Sequence, residues 1–261
     1  MQLRHYRSGH GDPLVLIHGI GSRWQMWEPV IDRLVAERDV IALDLPGFGA
    51  SPMPPPGTPP GAGSLASLVA AFLGELGVAR PHVAGNSLGG LIALELARRG
   101  EVRSATAISP AGFASRPEMA GARSSLWLSV RAARRLASRA DTVLATRPGR
   151  GLALGLFVAH PTRLPARDAA ASVRALAGAP WFDATLPTIR AREFEGGEMI
   201  TVPVTVAWGD RDRLLLPRQG RRAARAIPAA RMVTLRGCGH VATYDDPAQV
   251  AAVLLEGSAG A

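Results

Sequence analysis

Short apolar runs, each followed within two residues by Gly or Pro, recur at residues 14–17, 40–45, 82–84, 105–108, 202–208 and 232–235. Their length and their punctuation predict buried β-strands. Between them, residues 24–36, 64–76, 88–99, 217–226 and 247–255 carry apolar side chains three and four apart, the spacing of one helix face. Strands that are largely apolar and alternate with helices predict an α/β fold, a mainly parallel sheet covered on both faces.

The rhythm breaks at residues 113–190. No strand pattern occurs there, while residues 125–140 and 167–176 have helical composition. So long a structureless loop would be unusual inside one domain, so the segment is read as a helical insertion. The expected organisation is a core of residues 1–112 and 191–261 with an inserted helical cap at 113–190. Residues 52–60 hold six prolines and read as a stiff surface loop.

Composition narrows the class. At 261 residues, with 47% hydrophobic and 20% charged residues, the chain can bury one sizeable core, which argues against disorder and fibrous architectures. No apolar run reaches the ~18 residues of a spanning helix, and no long apolar stretch opens the chain as a secretory signal would. A cytoplasmic protein is expected. The single cysteine, Cys238, cannot form an internal disulfide or a multi-cysteine zinc site.

Thirty basic against 21 acidic residues give a net charge of +9, and every cation is arginine. Charge of this size permits partners such as nucleic acid or an anionic surface. Its distribution is uneven: residues 113–190 hold 12 arginines against four acidic residues, so the insertion carries nearly all the excess. Arg131, Arg134, Arg135 and Arg139 share a helical stretch with Leu126, Trp127, Val130 and Leu136. That face is either simply solvated or a docking site for an anionic surface, a carrier protein or an acidic substrate.

The strongest chemical signal is Gly85-Asn86-Ser87-Leu88-Gly89, a Gly-x-Ser-x-Gly run between a strand and a helix. In that setting the serine sits on a sharp turn that lifts its hydroxyl clear of the sheet. A serine hydroxyl needs a histidine base, and the imidazole needs a carboxylate to fix its tautomer. Gly237-Cys238-Gly239-His240 follows the last strand and offers His240 as base. His5, His10, His82 and His160 are read as structural or solvated.

Trp208-Gly209-Asp210-Arg211-Asp212 follows the preceding strand and offers two carboxylates. Asp212, further into the loop, is preferred, with Asp210 the alternative. An oxyanion needs aimed donors. The amides of Leu88, after the nucleophile, and Ile20, within His18-Gly19-Ile20-Gly21, are the candidates, with His18 shaping that loop. Trp127, Phe157, Trp181 and Phe182 either line an acyl pocket over Ser87 or pack between the inserted helices.

Together these residues resemble the α/β-hydrolase superfamily. The set comprises the loop at His18, Asp44-Leu45-Pro46-Gly47-Phe48-Gly49-Ala50-Ser51 as a structural turn, the elbow at Ser87, the acid loop and the His240 loop, in the family's order. The resemblance implies a sheet of about eight strands, a helical lid and cofactor-free, metal-free chemistry. It points to a serine hydrolase acting on a small or acyl-chain ester. Serine at the elbow argues against the dehalogenases and epoxide hydrolases of that superfamily, which carry aspartate there. Carbon–carbon hydrolysis, lactone or thioester cleavage and cofactor-free haloperoxidation use the same constellation. A non-catalytic binding protein with a basic lid is the alternative of another class. Nucleic acid is not an expected partner, since no recognition motif accompanies the charge.

Overall fold

Alternate residues of each central strand enter different apolar cores. In β2 (Pro13–Ile17), Val15 and Ile17 pack on one face of the sheet and Leu14 and Leu16 on the other; in β3 (Asp39–Leu43), Ile41 and Leu43 divide from Val40 and Ala42 in the same way. The computed structural model describes residues 1–259, and its sheet has seven strands in the order β1-β3-β2-β4-β5-β6-β7. The others are β1 (His5–Ser8), β4 (His82–Asn86), β5 (Ser104–Ile108), β6 (Val204–Gly209) and β7 (Arg231–Leu235). All pairings are parallel except β1 with β3.

One face carries α1 (Glu28–Leu34) and α10 (Pro247–Gly257); the other carries α2 (Ala62–Glu75), α3 (Leu88–Arg98) and α9 (Arg218–Ala226). The expected strands and core helices are present, with ends displaced by a few residues, although β7, expected to be buried, is an edge strand exposed over most of its length. Two further features differ. The described sheet has seven strands rather than about eight, because the residues before Pro13 supply only one short edge strand. That strand, His5-Tyr6-Arg7-Ser8, is half-exposed and polar, so its pattern carries no hydrophobic signal.

Between β5 and β6 the chain is helical: α4 (Arg116–Leu136), α5 (Ala140–Ala145), α6 (Arg147–Leu154), α7 (Ala166–Ala177) and α8 (Phe182–Thr185). They enclose an apolar cluster of their own that includes Leu144, Leu154, Leu164 and Val173. The segment leaves and rejoins the core at one place, where Arg192 and Phe194 donate backbone hydrogen bonds to Ala114 and Gly112. No described helix is long and apolar enough to cross a membrane.

Glu118 anchors α4 at its start. Its carboxylate accepts from the Ser115 amide in a capping box and pairs with Arg218 and Arg222 of α9. Burial alone would raise this carboxyl, but the Ser115 amide, Arg218, the Ser115 hydroxyl and Arg222 outweigh it and bring it down to about 2. A carboxyl that titrates lower when folded stabilises above its ordinary range, and that contribution is lost as pH falls from about 4.5 toward 2. Glu118→Gln is expected to cost roughly 2 kcal/mol at pH 7. In thermal melts, its deficit against the parent should shrink across that acid range.

Candidate active site

Ser87 stands alone between the end of β4 and the start of α3, with φ +57° and ψ −115°. A non-glycine residue there is strained by about 1–3 kcal/mol and persists only when its surroundings fix it. Here the Ser87 amide donates to Ile108 O, and Ser87 O accepts from the amides of Leu91 and Ala111, each at 3.0 Å. The flanking glycines are needed for clearance: a Cβ on Gly85 would lie 2.1 Å from Gly89 O, and one on Gly89 would lie 2.2 Å from Ile17 O. The turn therefore presses α3 onto β2 and β4. It also leaves Leu88 in the first helical turn, where amides have no intrahelical acceptor.

His240 lies on the loop after β7, and its Nδ1 is 2.8 Å from Asp212 Oδ2. Both side chains are buried. The other oxygen, Asp212 Oδ1, accepts from the amides of Leu214 and Leu215, both at 2.9 Å. A carboxylate only accepts, so His240 Nδ1 carries the donated proton and Nε2 is left as the acceptor. Asp210 is exposed, and its Oδ1 accepts from the Gly237 amide at 2.8 Å. The structure thus separates the two carboxylates: Asp210 shapes the loop, and Asp212 holds the imidazole.

His18 is buried. Its Nε2 accepts from the Leu45 amide at 2.9 Å, so its Nδ1 carries the proton and donates to Gly19 O at 2.7 Å. Burial lowers its pKa against the opposing charge of Asp44. His18 therefore ties its own loop to the segment after β3. In that segment the Asp44 carboxylate accepts from the amides of Trp24 and Ala50, a structural turn.

Two residues outside the expected set fasten this machinery. Asn86 Nδ2 donates to His240 O at 2.9 Å and to Ile108 O at 3.2 Å, joining the elbow to the base loop. Asp245 accepts from the amides of Gly239, Ala159 and His160, joining that loop to the chain after α6. The Val241 amide adds a bond to Phe157 O at 2.8 Å. No motif marks Asp245, because its partners are backbone groups distant in sequence. Asp245→Asn puts an amide donor where amides need an acceptor. It should lower kcat for turnover at this site by about 10²-fold with a smaller change in KM, since a slip of ~1 Å is enough to cost that much. Steady-state kinetics check this.

Ser87, His240 and Ile20 line one cavity of about 500 Å³, whose remaining walls are largely apolar and include Leu126, Leu136, Phe157, Val173 and Leu176. Ser87 Oγ makes no hydrogen bond among the described residues. Of the four aromatics proposed for the pocket, Phe157 is in the wall and three are not. Trp181 packs against Gly47, Phe182 is fully buried beside Gly21, and Trp127 lies outside, under the guanidinium of Arg131. Their packing needs decided this, and composition does not reveal it. Burial pushes the Cys238 thiol up to about 12, with Asp245, Asp246 and Asp210 adding to it, which favours its protonated form. No group of three or more metal-ligating side chains clusters among the described residues.

A family model described as the α/β hydrolase family matches residues 14–253. The chain belongs to this family. Over 96% of its length, and 96% of the relative's, it is 30% identical to "Putative carbamate hydrolase RutD" of Pseudomonas savastanoi pv. phaseolicola. It is 31% identical to epoxide hydrolase EphH of Mycobacterium tuberculosis, over 71% of this chain and 89% of that one. A higher identity, 39% over 116 residues, is local. It covers 43% of this chain and 30% of the dihydrolipoyllysine-residue acetyltransferase component of the acetoin cleaving system of Cupriavidus necator. Among solved family structures, a bacterial membrane phospholipase A superposes with a TM-score of 0.77 at 27% identity, covering 99% of this chain and 84% of that one.

Proposed function

We propose that the chain is a serine hydrolase that cleaves carboxylic esters with an apolar acyl group through an acyl-enzyme. The observation that carries this reading is the buried His240–Asp212 pair opening, with Ser87, onto one apolar cavity. Ser87 Oγ attacks the carbonyl carbon while His240 Nε2 takes its proton. The Ile20 and Leu88 amides hold the oxyanion. The carbonyl re-forms as the alkoxide leaves with the proton from His240, and water repeats the sequence on the acyl-enzyme. None of these steps uses a cofactor or metal. The helices of residues 113–190 act as a lid, whose walls receive the acyl chain. Likeness to the relative named "Putative carbamate hydrolase RutD" supports a second reading, a carbamate in place of the ester at the same site.

Chromogenic esters of graded acyl length and matching carbamates separate these readings. A cavity of about 500 Å³ with apolar walls predicts that kcat/KM rises with acyl length. Each added methylene buried should give up to about fourfold, from ~0.8 kcal/mol per CH₂, until the cavity is full. A flat profile opposes the acyl-pocket assignment, and faster carbamate turnover selects the second reading. A well-folded chain that turns over neither opposes both readings and leaves a lyase, carbon–carbon, lactone or thioester cleavage at the same site, or a binding role.

A further inference from the structure

The cavity does not close over at the lid. Leu128 of α4 and Leu152 of α6 both line it, yet they are 59% and 93% exposed, and neighbouring Trp127 is 48% exposed. Large apolar side chains that stand in water at a cavity mouth are a cost, unless another phase covers them. Along α4 beyond its first turn, and in the turn after it, the charge has one sign, while Asp141 and Asp183, further along the inserted segment, pair with Arg174 and Arg134. From Met119 to Ala140 the sequence has five arginines and no acidic residue. Arg131 and Arg135 lie three and seven residues after Leu128, on its side of α4, with Arg139 one turn further on. All three are exposed, and none forms an ion pair among the described residues.

We propose that this mouth docks on a lipid surface carrying anionic headgroups. Leu128, Leu152 and Trp127 would enter the acyl boundary while Arg131, Arg135 and Arg139 meet the headgroups. Separate protruding leucines suit an unstructured apolar phase, and the single sign of the arginines selects anionic lipid over a neutral one. Docked in this way, the mouth passes acyl chains from bilayer to cavity without crossing water. The surface is independent of the chemistry assigned to Ser87.

The test is flotation of the full chain with phosphatidylcholine vesicles, with and without 30% phosphatidylglycerol. Binding to the anionic vesicles alone, weakened by salt, is the expected result. Arg131→Gln, Arg135→Gln and Arg139→Gln combined should lower that partition about a hundredfold. The combined variant should keep the parent circular dichroism and its hydrolysis of a water-soluble short ester. Leu152→Asn should also weaken the partition. No flotation, equal flotation on both vesicles, or flotation untouched by the arginine changes would overturn the proposal. So would a dimer in sedimentation velocity that Leu152→Asn disperses, if vesicle binding is absent.

Discussion

Ser87→Ala is expected to lower kcat for ester hydrolysis by about 10⁶-fold, the scale on which removal of a nucleophile acts in a serine-dependent enzyme. Alanine keeps the Cβ, and the backbone bonds that hold the elbow run through Ser87 N and O rather than its hydroxyl. Circular dichroism and melting temperature should therefore stay close to the parent while initial rates vanish. Residual turnover within tenfold of the parent would place the chemistry elsewhere.

Asp212→Asn is expected to lower kcat by about 10⁴-fold, and the hydrogen bonds state why. Asp212 Oδ1 serves the amides of Leu214 and Leu215, so an asparagine there keeps its oxygen on that side. Its NH₂ then faces His240 Nδ1, where the parent has an acceptor. The imidazole is forced to present Nδ1 as a lone pair and Nε2 as N–H, and a protonated Nε2 cannot take the Ser87 proton. Asp210→Asn, whose partner is the Gly237 amide, should cost less than tenfold. Kinetics of the two variants side by side distinguish the loop-shaping carboxylate from the orienting one.

What the sequence made legible was local. A strand–turn–helix around Ser87 is written in five consecutive residues, because the clearances at Gly85 and Gly89 admit no side chain. The buried strands were legible from apolar runs, since a parallel sheet covered on both faces needs no alternation. The polar edge strand His5–Ser8 was not legible, because its pairing with β3 rests on backbone bonds. Asp210 and Asp212 are two residues apart, and spacing alone could only rank them; burial and hydrogen bonding separate them. Which aromatics enter the cavity was illegible for a different reason. Trp181 and Phe182 are held by contacts with Gly47 and Gly21, which lie more than 130 residues earlier in the chain.

The most direct test of the central claim is intact-protein and peptide mass spectrometry after rapid quenching of turnover on a chromogenic ester. The mechanism predicts a transient mass increase equal to the acyl group, confined to the peptide containing Ser87, formed with the burst of alcohol and absent from Ser87→Ala. Turnover with no acylated protein, or with the acyl group on another residue, would contradict it.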